Sequence, residues 1–343
     1  MVAPMRVFLT GATGFIGSHV ARALMARGVS LCCLCRPTSH RADLEDLPID
    51  WVVGDLTDRE SLRRAMTGAE VVFHCAADYR LYAREPAEIY RSNVDGTQNV
   101  LELAAELGVE RLIYTSSVGT LALGGRTPAN ENARGHLEEM VGDYKRSKFL
   151  AERVVESWIE RGLPVVMVSP STPIGEGDAK PTPTGRIVVD FLSGRLPAYV
   201  DTGLNLVDVR DVALGHLLAA ERGRPGESYI LGGANLTLQQ VLELLGRLTG
   251  RRPPRLKLPH WVPLAIAHLE EPLARWLGRD PRVPIDGVRM SKSMMFFDAG
   301  KAVRELGFPQ SPIEPAFERA VNWFIEHDYV AGRLSAKAGV ANL

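Results

Sequence analysis

Tyr144 and Lys148 stand four residues apart in the run Tyr144-Lys145-Arg146-Ser147-Lys148. On a helix that spacing puts both side chains on one face. A free phenol titrates near pH ~10, too high for easy proton exchange at neutral pH. An ammonium one turn away stabilises the phenolate and lowers that value, which makes the tyrosine a usable acid or base. Upstream, Ser116-Ser117 closes a short apolar run. The Ser117 hydroxyl can hold a substrate oxygen and polarise it.

A second chemical stretch opens the chain: Thr10-Gly11-Ala12-Thr13-Gly14-Phe15-Ile16-Gly17. Arg6 to Leu9 before it reads as a strand, and Ser18 to Ala26 after it has apolar residues at helical spacing. A glycine-rich turn from strand into helix suits a pyrophosphate lying against backbone amides. A Cβ at the close-approach positions would hold the phosphates away, and the helix N-terminus favours negative charge.

These residues need a scaffold, and the pattern supplies one. Leu31–Cys35, Trp51–Val53, Val71–His74, Arg111–Thr115 and Val165–Val168 read as further strands. Helices are predicted from near Ser61, from about Glu88 to Leu107, and from about Asp143 to Arg161. Short, continuously apolar strands alternating with amphipathic helices predict an α/β fold, a Rossmann-type doubly wound parallel sheet covered on both faces. Ligands of such sheets lie beyond the carboxyl ends of the strands, so Gly11, Asp55, Ala76 and Ser117 are expected around one crevice. Residues 1–170 form the predicted nucleotide-binding domain, with 205–231 returning to it. Residues 171–204 and 232–328 form a smaller, mixed α/β substrate domain, and 329–343 a tail. The stretch Pro170–Pro183 is too rich in Pro, Gly, Ser and Thr to read as a sheet element, and is expected to be a loop over a ligand. Helices over about 211–220 and 237–248 follow, the latter capped by Thr237 or Asn235.

Composition limits the function classes. The chain has 343 residues, a net charge of −1, 45% hydrophobic and 24% charged residues. Near-neutral charge gives no long-range attraction to nucleic acid. No run reaches the length of a membrane span, so no integral membrane segment is expected. The N-terminus reads straight into the first strand without a signal peptide, and the cytoplasm is the expected location. Cys32 and Cys35 make a C-x-x-C within a strand and are read as buried strand cysteines; no metal site is expected.

Taken together, these motifs resemble the extended short-chain dehydrogenase/reductases. Gly11, Gly14 and Gly17 match that family's phosphate loop, Asp55-Leu56 its adenine segment, and Cys75-Ala76-Ala77 the segment lining the nucleotide. Asn93-Val94-Asp95-Gly96-Thr97 matches the signature on the fourth helix. Ser117, Tyr144 and Lys148 match the catalytic trio, and Pro170 to Gly175 is similar to the loop that contacts the nicotinamide. The resemblance implies a cofactor site of Gly11, Thr13, Gly14, Phe15, Ile16, Gly17, Arg36, Asp55, Leu56, Ala76, Ala77, Asn93, Tyr144, Lys148, Pro170 and Thr172. It also implies a homodimer. Three segments, 77–82, 180–186 and 204–213, resemble the hopanoid-associated sugar epimerases, neighbours of the dihydroflavonol-4-reductases. Asp208 and Arg210 depart from that subgroup, in which histidine and aspartate are expected. The implied substrate is sugar-like or a polyol, with a hopanoid as one candidate for its body.

The second strand ends Cys35-Arg36-Pro37-Thr38-Ser39-His40-Arg41, and no Asp or Glu occurs before Asp43. A carboxylate there would bind the adenosine ribose of NAD and repel the 2′-phosphate of NADP. Arg36 instead offers a planar fork to a phosphate. NADP(H) is the expected cofactor, with NAD(H) as the other candidate. Tyr79 and Tyr82 can wall a substrate site or simply pack. Arg186 can hold a substrate hydroxyl or phosphate, or stand in solvent. The region from Trp261 to Trp276 is read as core of the smaller domain, in preference to a lipid- or membrane-facing surface. An epimerase, a net carbonyl reductase and a nucleotide-sensing regulator are the three functional classes that fit. The regulator fits worst, since the tyrosine and lysine are both present.

Overall fold

The computed structural model describes residues 4–123 and 127–330. Its strands are β1 (Arg6–Thr10), β2 (Ser30–Cys35), β3 (Asp50–Val53), β4 (Val71–His74), β5 (Arg111–Thr115), β6 (Val165–Pro170), β7 (Thr172–Ile174), β8 (Ala198–Val200), β9 (Gly203–Asp208), β10 (Ser228–Leu231), β11 (Ala234–Thr237), β12 (Leu256–Leu258) and β13 (Met294–Met295). The helices are α1 (Phe15–Ala26), α2 (Arg59–Met66), α3 (Pro86–Tyr90), α4 (Gly96–Glu106), α5 (Gly142–Glu160), α6 (Pro183–Leu192), α7 (Val209–Arg222), α8 (Leu238–Thr249), α9 (Trp261–Trp276), α10 (Ile285–Met290), α11 (Gly300–Leu306) and α12 (Ile313–Glu326).

Seven strands form one parallel sheet in the order β10-β6-β5-β4-β1-β2-β3. This is the doubly wound architecture expected from the alternating pattern. Its order reverses between β1 and β4, which is where a crevice opens at the strand ends. The inner strands are apolar on both sides because both faces are covered. Leu9, Cys33, Phe73 and Val168 meet α1 and α7 on one face, while Phe8, Cys32, Val72 and Leu112 meet α2, α4 and α5 on the other. Cys32 and Cys33 therefore pack on opposite faces, and burial pushes the Cys32 thiol up to about 11.

Three segments differ from expectation, and one expected helix carries a local distortion. The stretch after β6 is not an irregular loop throughout: β6 runs on to Pro170, and Thr172–Ile174 pairs in parallel with β9. That partner lies over thirty residues away, so local composition carried no sign of it. The returning segment 205–231 divides: β10 joins the seven-stranded sheet, but β9 lies in a second sheet with β7, β11 and β13. Alternation lets β9 serve both cores, Leu204 and Leu206 facing α6, α8 and α12 while Val207 faces the α1–α7 layer. The helix expected from Glu88 to Leu107 is present, running from Pro86 to Glu106 with a π-turn at Arg91–Asp95 inside it. Finally, Tyr329, the first residue of the expected tail, packs on Trp323 and Phe324 and donates to Ala179 O at 2.6 Å. The remainder of the expected tail, 331–343, lies outside the described residues. Among the described residues no helix is long and apolar enough to cross a membrane.

Candidate active site

The crevice at the β1–β4 reversal is shaped by glycines. Gly11 ends β1 with φ +78°, and a Cβ on it would lie 2.6 Å from Ala76 N at the end of β4. A Cβ on Gly17 would lie 2.0 Å from Gly11 O, so α1 approaches the loop closely only with glycine there. Gly14 begins α1, which has no side-chain cap and no acidic residue in its first turn. The first amides of α1 and its positive dipole end thus remain for an anion, which is the donor set a pyrophosphate needs. Thr13 is exposed on this loop and Ile16 half-buried; Phe15 is buried in the core, leaving only its backbone for a ligand.

The walls of the crevice are held by the core. Ala76 N donates to Thr10 Oγ1 at 3.2 Å, and Thr10 in turn meets His74 Nδ1 at 2.7 Å. His74 is buried with its second nitrogen 3.0 Å from Thr97 Oγ1; burial depresses its pKa to about 3, so it is a neutral packing group. Asn93 sits in the π-turn. Its Oδ1 accepts from Asp78 N at 2.7 Å, and its Nδ2 donates to Asp78 O and to Ser147 Oγ, both at 2.9 Å. Both Asn93 amide protons are thereby used on protein groups. The residue clamps the Ala76–Ala77–Asp78 segment to α5, and its expected place against a cofactor becomes an indirect one. Asp55 accepts from Thr57 N and Oγ1, at 3.0 and 2.7 Å, in a turn that leads to buried Leu56. Arg36 is exposed at the end of β2 and its guanidinium makes no ion pair or hydrogen bond among the described residues.

Tyr144 and Lys148 do lie on α5, but the lysine is turned to the sheet. Lys148 is buried; its Nζ donates to Tyr114 OH at 2.9 Å and to Thr115 O at 2.8 Å. Burial pulls its pKa down to about 8, against an upward pull from Glu152. Burial raises the Tyr144 phenol, and the Ser117 hydroxyl near it pulls the other way. The Lys148 ammonium is engaged by Tyr114 and Thr115 of β5. Ser117 Oγ also accepts from Gly119 N at 3.0 Å, which fixes it at the end of β5. Its neighbour Ser116 donates instead to Glu152, a half-buried carboxylate that also accepts from Thr120 Oγ1 at 3.0 Å. Tyr114 and Glu152 escaped the sequence reading: one looks like any strand aromatic, the other like any helix glutamate.

Farther out, Tyr79 OH donates to Lys180 O at 3.2 Å, Tyr82 is half-buried nearby in sequence, and Arg186 is exposed on α6. Pro170 is buried at the end of β6, and Thr172 half-buried on β7. Asp208 and Arg210, the two departures from the subgroup pattern, belong to an ion network. Asp208 caps α7 through Arg210 N at 2.9 Å and pairs with Arg319; Arg319 and Arg210 both reach Glu176, at 2.8 and 2.6 Å. These two side chains thus bond to protein partners.

Comparison with known proteins completes the picture. Residues 7–232 match the family described as "NAD dependent epimerase/dehydratase family". The chain is 48% identical over 328 residues to "Putative dihydroflavonol 4-reductase" of Synechocystis, covering 94% of this chain and 95% of that one. It is 35% identical to "Sterol demethylase protein B" of Methylococcus capsulatus, covering 95% of this chain and all of that one. The crystal structure of gox2253 superposes with a TM-score of 0.85 at 45% identity, covering 94% of this chain and 99% of that one. These likenesses remove the regulator from the three functional classes. The chain belongs to the NAD-dependent epimerase/dehydratase family, and is an NAD(P)-dependent enzyme of the extended short-chain dehydrogenase/reductase type.

Proposed function

We propose that this enzyme is an NADP(H)-linked carbonyl reductase, working at a carbon that bears a hydroxyl or carbonyl. The observation that carries the reading is the placement of Ser117, just past β5, and Tyr144, in the first turn of α5, at the end of the parallel sheet where the glycine loop also opens. When bound, the nicotinamide supplies or accepts the hydride. Gly11, Thr13, Gly14 and the amides of Phe15 and Ile16 would hold the pyrophosphate, with Gly17 allowing the approach. Asp55 and Leu56 would border the adenine, Ala76 and Ala77 the ribose side, and Pro170 and Thr172 the nicotinamide. Residues 171–204 and 232–328 would supply the substrate side.

Ser117 positions the substrate oxygen, and Tyr144 exchanges a proton with it. Burial keeps the phenol protonated at neutral pH. That is the form a reduction uses: the O–H proton passes to the carbonyl oxygen as hydride arrives at carbon. Lys148 spends two of its three protons on Tyr114 and Thr115, and its third would hold the nicotinamide ribose. The substrate in this reading carries a sugar-like or polyol head, and the sterol in one relative's name supports an apolar body.

The second reading is epimerisation, favoured by the family description. Net NADPH consumption with a carbonyl substrate such as a 3-ketosteroid supports reduction; an unchanged cofactor balance with inverted product supports epimerisation. For the cofactor, calorimetry with NADP and NAD is decisive. We expect tighter NADP binding that Arg36→Ala removes. Equal affinities, unchanged by that substitution, would overturn the assignment of Arg36.

A further inference from the structure

The helix α9 is built the opposite way round from a surface helix of a globular protein. Trp261, Ala265, Leu269, Leu273 and Trp276 follow one another at helical spacing and form one stripe. That stripe faces outward: Trp261 is 70%, Leu269 77%, Leu273 50% and Trp276 81% exposed. The sequence expectation of an ordinary core here is thus overturned. The inward side holds fully buried Ala267 and Ala274, together with the acidic pair. Glu270 accepts from Arg282 N at 2.9 Å and Val283 N at 3.0 Å, and Glu271 from Ile285 N at 3.1 Å. These carboxylates bind the next stretch of backbone, which fixes the apolar side outward. A surface patch of this kind marks an interaction site.

Charge around the helix selects the partner. Residues 251–292 contain nine Lys and Arg against four Asp and Glu, +5 in a chain of total −1. Arg252, Arg255, Arg275, Arg282 and Lys292 make no ion pair among the described residues. Just before α9, Lys257, His260 and Lys292 line an open depression of ≈ 510 Å³, shared with Asp201. Tryptophans stand at both ends of the helix, about 22 Å apart at 1.5 Å per residue. An apolar stripe ended by tryptophans, within a chain segment rich in unpaired cations, is the chemistry of a helix lying in an anionic lipid interface. We propose that α9 seats this protein on anionic membrane surfaces, with the Trp261–Trp276 stripe entering the acyl boundary and the basic residues meeting headgroups.

The test uses the full chain and no enzymatic readout. Flotation with vesicles of phosphatidylcholine, with and without phosphatidylglycerol, is compared for wild type and Leu269→Ser/Trp276→Ser. Both side chains are largely exposed, so thermal unfolding should be unchanged. We expect binding to the anionic vesicles, weakened by salt, and a loss of roughly tenfold or more in the double variant. Brominated lipid should quench wild-type tryptophan emission, a readout independent of any variant. Absent flotation, or flotation equal in wild type and variant, would overturn the proposal. So would a wild-type oligomer that ignores vesicles and dissociates in the variant, since a second copy would then cover the stripe.

Discussion

The Lys148 ammonium lies 2.9 Å from the Tyr114 hydroxyl and 4.5 Å from the centre of its ring, so the lysine of α5 is anchored on β5. A buried cation in that place has a thermodynamic signature. Its folded pKa, about 8, is depressed below the ordinary lysine value of ~10.4. Between those values the unfolded chain holds more protons than the native one, so native stability contributed by this group rises with pH. The denaturation midpoint of wild type should therefore climb relative to Lys148→Met as pH goes from about 8 to about 10. A constant difference across that window would show that Lys148 is not depressed.

Ser116 and Ser117 are adjacent and should separate cleanly by substitution. Ser117→Ala removes the hydroxyl beside Tyr144 and should lower kcat with little change in folding. Ser116→Ala takes one of two hydroxyl donors from the half-buried Glu152 and should cost about 1 kcal/mol of stability. Paired kinetics and urea unfolding of the two variants test this; the reverse pattern would exchange the assigned roles.

Tyr144→Phe keeps the ring and deletes the proton. Turnover should fall ~10²–10⁴-fold while cofactor affinity stays near wild type. Retained turnover in this variant would remove Tyr144 from the mechanism.

The two glycines of the α1 entry should behave differently. At Gly17 a Cβ meets backbone at 2.0 Å, so Gly17→Ala should lose about 1–3 kcal/mol or more even without cofactor. At Gly14 the nearest atom is Gly11 O at 3.3 Å, so Gly14→Ala should fold nearly normally. Its effect should appear as weaker nucleotide binding, measured by calorimetry beside thermal unfolding.

The sequence by itself determined the doubly wound sheet, the glycine turn, and the order Ser117, Tyr144, Lys148. Each rests on local periodicity or on spacing within one element, and both survive any tertiary detail. Only the folded chain decided what depends on distant partners. Thr172–Ile174 is a strand because β9 pairs with it. Asn93 is a clamp because Asp78 and Ser147 converge on it. Lys148 bonds to Tyr114 and Thr115 because α5 packs on β5 at that register. Trp261 and Trp276 show the limit most plainly: a helical pattern says that two tryptophans share a face. Which side that face turns to is decided by Glu270 and Glu271, whose carboxylates bond to the backbone that follows and hold the apolar stripe in the open.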